Sequence, residues 1–151
     1  MANIFDVASY ILNQKGEMTA MKLQKLCYYS QAWNLAWEEY PLFQNRIEAW
    51  DKGPVSPDLY DWHRGELFVK TNERLEKLGD NNLTDAEIET INEVLNSYSD
   101  YTAQQLSELS HKEAPWKDAN STCANYVKCN AVISHAAMHE YYSSLICNED
   151  G

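Results

Sequence analysis

The chain has 151 residues, is 44% apolar and 12% aromatic, and carries a formal charge of −11. A length of this order suits one domain whose core holds without disulfides or metal, and five Gly and four Pro argue against long flexible linkers. The acidic excess disfavours nucleic acid, whose phosphates it repels, and is compatible with a basic protein partner.

The start, MANIFDVASYIL, has no basic region ahead of a long apolar run, so no signal peptide is read there. No stretch approaches the roughly 20 apolar residues of a membrane span. Cys27, Cys123, Cys129 and Cys147 form no C-x-x-C pair. A reduced, cytoplasmic protein is the simplest reading, with a Cys123–Cys129 disulfide left open.

In chain order, Asn3 is placed to cap a helix over Ile4 to about Gln14, with Ile4, Ala8, Ile11 and Leu12 on one face and Gly16 at its end. Thr19 is placed to cap a second helix, about Ala20 to Glu38. Leu23, Leu26, Cys27, Ser30, Trp33 and Trp37 form one stripe of it, and Met21, Tyr28, Ala32 and Leu35 a second. So apolar a helix is usually central to a fold; Lys22, Lys25 and Gln31 are left for solvent or a partner. Pro41 breaks the pattern. Leu42 to Trp50 reads as a short extended segment with Phe43, Ile47 and Ala49 on one side, and Gly53–Pro54 as a turn. Ser56 then caps a helix with Pro57 at its first position, ended near Gly65. Leu67 to Val69 is a further apolar run that pairs with the first extended segment. Lys70 to Asn82 reads as a charged surface stretch with a helical turn at Glu73 to Leu78.

Thr84 with Glu87, and Thr102 with Gln105, are capping-box signatures. The helix after the first places Ile88, Ile91, Leu95 and Tyr98 on one face; the helix after the second turns Leu106 and Leu109 inward. Pro115 and Trp116 begin a short helical turn, and Ser121 to Asn130 is polar and irregular. Ser134 caps a last helix, about His135 to Leu145, with Ile133 and Met138 as a hydrophobic staple. Residues 146–151 read as a flexible tail. The fold class expected is mainly α: a single compact helical domain, residues 1–151, with a small β-hairpin or extended segment near 43–55 and 67–69.

Chemistry-bearing patterns are sparse. His135 and His139 have metal-compatible i, i+4 spacing, but the intervening residues lack the glutamate of H-E-x-x-H, and two surface histidines are the plainer reading. A zinc site from these histidines with Cys123 and Cys129 fits no common spacing. Carboxylate pairs are too many for one to stand out as acid and base, and there is no phosphate-binding loop, dinucleotide fingerprint or nucleophile elbow. Neither a cofactor nor a metal is expected. Tyr and Trp between Met18 and Tyr60 serve as core, and some of them line a groove or interface.

Several blocks of residues resemble one family. Met18–Thr19, Met21–Lys22–Leu23–Gln24–Lys25–Leu26 and Tyr28–Tyr29 are followed by Pro41–Leu42–Phe43, Ile47–Glu48–Ala49–Trp50, Gly53–Pro54–Val55, Pro57 and Leu59–Tyr60. Leu106, Ser110–His111, Glu113 and Pro115–Trp116 close the set. In this order, over about residues 5 to 119, they resemble the Panacea domain of SocA-like and phage-associated proteins. The resemblance implies a mostly helical antitoxin, with no established catalytic residues, that neutralises a cognate protein toxin by direct contact. It also implies an alternative: an adaptor delivering the toxin to an ATP-dependent host protease. A hydrolase built on His63 and His111 is a third reading, from a different class.

The residues singled out for partner contact are the turn, Trp50, Gly53, Pro54 and Val55, with Pro57 locking the next helix. Lys22 and Lys25 on the long helix join them, as do His111 and Trp116 of the closing motif. The segments Lys70 to Asn82 and Ser121 to Asn130 are further candidates, since exposed loops tend to carry specificity. The toxin is expected to be encoded by an adjacent gene.

Overall fold

Side-chain caps fix where most helices begin. Asn3, Thr19, Ser56, Asn72, Thr84 and Thr102 each accept a hydrogen bond from the backbone three residues on, an interaction worth about 1 kcal/mol apiece. Three of them are full capping boxes: Asn3 with Asp6, Thr84 with Glu87 and Thr102 with Gln105. A computed structural model describes residues 1–123 and 128–150. Among these residues it has eight helices and two small antiparallel sheets. The chain is mainly α, as the sequence implies.

The order is α1 (Ile4–Lys15), β1 (Met18–Thr19), α2 (Ala20–Glu38), β2 (Glu48–Trp50), β3 (Gly53–Val55) and α3 (Pro57–His63). It continues with β4 (Phe68–Val69), α4 (Glu73–Leu78), α5 (Asp85–Tyr98), α6 (Ala103–His111), α7 (Ala114–Asn120) and α8 (His135–Asp150). The long helix α2 is the hub, packing against α1, α5, α6 and α8. Its Leu23, Leu26, Cys27, Tyr29 and Ala32 are wholly buried. Around them one continuous core gathers Ile4, Val7 and Ile11 of α1, Ile91 and Val94 of α5, Leu106 of α6, and Met138 and Tyr142 of α8.

Several expectations are corrected. The hairpin turns at Asp51–Lys52, because Trp50 pairs with Gly53 and Ala49 with Pro54; Gly53–Pro54 lies in the strand and not in the turn. The run at Leu67–Val69 does not join that hairpin. β4 pairs with β1, and the Leu67 carbonyl accepts from the Ala20 N–H just beyond β1. On α2, Lys25 and Gln31 are buried rather than free for solvent, whereas Trp37 at the end of the stripe is 42% exposed. The helix outruns the elements that cover it, so its last Trp reaches solvent.

The last helix extends through Asp150, beyond the predicted end near Leu145 and through most of the expected tail; Gly151 lies outside the described residues. Ser134 caps it, its hydroxyl accepting from the Ala137 N–H at 3.0 Å, and Ile133 and Met138 are both buried as a staple requires. Cys123 and Cys129 are joined in a disulfide, against the all-reduced reading. Their Cα atoms are 5.5 Å apart, within bridging distance. Cys27 is a buried free thiol. Residues 124–127, inside the candidate segment Ser121 to Asn130, lie outside the described residues. In the other candidate segment, α4 forms as predicted and buries Leu75.

Candidate functional site

The hairpin β2–β3 is held from several sides. Residues 131–133 run antiparallel beside β2: the Ala49 N–H donates to Ala131 O and the Ile133 N–H to Ile47 O, each at 2.8 Å. Helix α7 contributes two donors. The Trp116 indole N–H reaches Trp50 O at 2.8 Å and the Asn120 amide reaches Ala49 O at 3.1 Å. Helix α6 supplies the Ser107 hydroxyl to Lys52 O at 2.6 Å. Unpaired backbone groups next to a core are costly, and here side chains from neighbouring helices satisfy them.

Helix α2 holds the hairpin from beneath. The Gln24 side chain accepts from the Ser56 N–H at 2.9 Å and donates to Ser56 O at 3.1 Å, so it pairs with the chain as another strand would. The same amide lies 3.0 Å from His63 Nε2, which therefore accepts as a neutral imidazole. The Lys25 ammonium nitrogen sits 3.3 Å from Pro54 O and is almost wholly buried. Burial pulls its pKa down from 10.5 to about 7. At about 1.4 kcal/mol per pH unit, keeping it charged below that value costs roughly 5 kcal/mol relative to water. Gly53 explains how the lysine fits. A Cβ there would stand 2.6 Å from Lys25 Cε and 3.1 Å from Ser110 Oγ, and φ is +120°; only glycine meets both conditions.

Aromatic rings flank this polar floor. Trp50 meets Tyr60 edge-on at 5.1 Å, and Tyr60 meets His63 at 5.3 Å. The Trp50 indole N–H donates to Glu48 Oε1 at 2.8 Å, and Arg46 pairs with the other Glu48 oxygen at 2.7 Å. His111 lies against Trp116 with ring centres 4.1 Å apart. Burial lowers the pKa of both His63 and His111, and the nearby Lys25 charge lowers both further.

A second buried cluster adjoins the first. Glu113 Oε1 accepts from Tyr29 at 2.7 Å and from Tyr142 at 2.9 Å, and the Tyr142 and Tyr28 hydroxyls are 3.0 Å apart. Burial raises the Glu113 pKa, and the two phenolic donors oppose that rise. Tyr28 and Tyr29 are also pushed up, mainly by burial. The cluster ties α2 and α8 to the turn between α6 and α7.

The candidates from sequence therefore separate. Trp50, Gly53, Pro54, Val55, His111 and Trp116 come together with Lys25 in one network. Gly53, Pro54, Val55 and Lys25 are buried in it and support the hairpin from within. Pro57 begins α3 behind the Ser56 cap. Lys22 stands apart, its ammonium donating to Ser99 O at 2.5 Å just past the end of α5, where the helix dipole favours a cation. The hairpin residues that reach solvent are Asp51 and Lys52, exposed at its tip, and Trp50, half-buried beside them. Site residues not singled out by sequence reasoning are Ser107 and Asn120, both polar residues of ordinary helices whose targets are distant backbone carbonyls. His135 and His139 are half-buried. Their neighbours are Gln31, 3.4 Å from His135, and Glu39, 3.7 Å from His139. Among the described residues no group of three His, Cys, Asp or Glu side chains gathers as a metal site would.

Most blocks that carried the resemblance thus contribute to one assembly, α2 below, the hairpin above, α6 and α7 at its side, whereas Met18–Thr19 pairs with β4 apart from it. Residues 23–117 match the family described as antitoxin SocA-like, Panacea domain. The chain belongs to that family. No curated protein and no solved structure matches it significantly. The matched span of the Panacea domain holds the hairpin and its contacts with α2, α6 and Trp116, while Asn120 and residues 131–133 outside it complete the network, and α1 and α8 the core. Membership supports an antitoxin role in general terms, and with it a protein partner. No described helix is long and apolar enough to cross a membrane.

Proposed function

We propose that this chain is the antitoxin of a toxin–antitoxin pair and neutralises a cognate protein toxin, encoded by an adjacent gene, by direct binding in the cytoplasm. The observation that carries this reading is the Panacea match over residues 23–117, a span that contains the clamped hairpin and its support. The whole chain, 1–151, acts as one binding domain, and it works without enzymatic activity. Of the residues of the hydrolase reading, His63 is engaged by Gln24 and Tyr60, and His111 packs on Trp116 with its Nε2 buried and without a hydrogen-bond partner. The acidic charge favours a basic toxin and raises the association rate more than the affinity.

The test is rescue of growth. Co-expression of the chain with the product of the neighbouring gene restores growth of cells that the neighbour alone arrests. A harmless neighbour, or toxicity untouched by this chain, defeats the reading. A stable complex on gel filtration identifies occlusion; loss of the toxin that depends on a host protease identifies delivery for degradation. A folded His111→Ala variant that retains full protection removes any catalytic need for His111; a folded variant that still binds the toxin but no longer protects reopens the hydrolase reading.

A further inference from the structure

The C-terminal half of α2 carries a surface that the hairpin network does not use. Trp37 is 42% exposed and Tyr101 43%, and a row of rings links them. Trp37 stacks on Trp33 at 5.1 Å, and the Trp33 indole N–H donates to the Tyr98 hydroxyl at 2.9 Å. Tyr98 and Tyr101 are 6.3 Å apart. On the other flank Trp33 packs against Tyr142 at 5.3 Å, and Tyr142 against Tyr141 at 4.9 Å. The row crosses from α5 over α2 to α8.

Carboxylates punctuate it. Glu38 and Glu39 directly follow Trp37, Asp100 lies between Tyr98 and Tyr101, and Glu140 precedes Tyr141; all four are exposed. Beside Tyr141 a cleft of about 270 Å³ opens between α7 and α8, with Asp118 and Glu140 on its walls. The cations nearby are fewer than the carboxylates: Lys117, next to Asp118 in the chain, and Lys22, whose ammonium is held on Ser99 O between Tyr98 and Asp100.

We propose that this acid-flanked aromatic row is the surface that docks a basic segment of the toxin, with arginine or lysine side chains lying over the rings and entering the cleft at Asp118 and Glu140. The proposal rests on the antitoxin reading and adds where and by what chemistry the partner is held. Charge complementarity selects the occupant. An apolar segment would strip water from the carboxylates without pairing them, and an acidic one would be repelled. A guanidinium satisfies both features at once, stacking on aromatic faces and pairing with carboxylates. Exposed Trp and Tyr are the side chains that most often dominate binding energy at protein interfaces.

The experiment uses the full chain and the purified product of the adjacent gene, with calorimetric titration and growth rescue read in parallel. The Trp37→Ala/Tyr101→Ala double variant binds about thirtyfold more weakly, the effect of losing one interface hot spot. Glu38→Lys/Glu39→Lys, at exposed positions and with its helical circular dichroism and unfolding midpoint checked because Glu39 caps α2, binds at least about tenfold more weakly and flattens the salt dependence of association. Wild-type affinity and rescue in both variants overturn this surface while leaving the antitoxin reading intact. Self-association of the free chain that Trp37→Ala abolishes also overturns it, by making a second copy the occupant. A wild-type chain that neither binds nor rescues removes the antitoxin reading, and this surface with it.

Discussion

Along α2, the side chains of Gln24, Lys25 and Gln31 are polar and buried, whereas those of Trp33 and Trp37 are largely apolar and partly exposed. Each arrangement inverts the usual preference, and the two have different physical origins. The buried polar groups all have backbone targets: Gln24 at Ser56, Lys25 at Pro54, and Gln31 at Leu42 N and Phe43 O, both at 2.7 Å. They replace hydrogen bonds that an irregular loop cannot make within itself. The exposed aromatics have no such targets beyond one another and Tyr98. Most of the helix is committed to shaping the chain; Trp37 at its C-terminal end retains surface that folding leaves unused.

The comparison breaks most sharply at Gly53. Gly53→Ala places a methyl 2.6 Å from Lys25 Cε at φ +120°, and destabilisation of about 3 kcal/mol or more is expected in urea unfolding. Glu113→Ala comes next. It strands the Tyr29 hydroxyl in the core and leaves Tyr142 only its partner Tyr28, at a cost of about 2–3 kcal/mol, while Glu113→Gln keeps an acceptor and costs less.

Lys25→Met acts through pH. The folded pKa of about 7 lies below the ordinary 10.5, so between those values the unfolded chain binds the extra proton. Stability from this group therefore rises with pH across that window and is lost as pH falls through about 7. Wild type gains about 2 kcal/mol more than Lys25→Met between about pH 7 and 9, measured by denaturant melts at each pH. His63 and His111, with pKa values also depressed, act in the same sense at lower pH. The smallest effect on stability belongs to the exposed end: Trp37→Ala shifts unfolding by under about 1 kcal/mol. A larger loss there would mean that Trp37 belongs to the core after all.

What the sequence showed of this molecule was mostly local. Caps depend on three or four consecutive residues, so Asn3, Thr19, Ser56, Thr84, Thr102 and Ser134 marked helix starts correctly. The ordered blocks from Met18 to Trp116 pointed to the Panacea family. Long-range pairing was less visible. Nothing between Leu67 and Val69 distinguishes Met18–Thr19 from Ala49 as a partner, and a Gly–Pro pair reads as a turn until Lys25 is known to lie beneath it. Lys25 itself was misassigned because lysines at helical spacing usually face water. Its burial depends on the hairpin and on α6, from Ala103 onward, closing over it. Ser107 and Asn120 were missed for the same reason, since a polar helical residue says nothing of which distant carbonyl it will meet.

Gln24 and Gln31 have a further consequence. They are seven residues apart, two turns and about 10 Å along the helix, and each grips main chain through both its carbonyl and its amino group. The chain from Phe43 to Ser56 is thereby fastened at both ends to a rigid rod, like a strap between two buckles. Between the buckles Gly53 is fixed by the lysine beneath it, but the exposed Asp51–Lys52 tip can change in sequence or length without moving either end. Evolution could thus remodel that tip while the rod and its fastenings stay constant, giving one helical frame a means of presenting different tips to different partners.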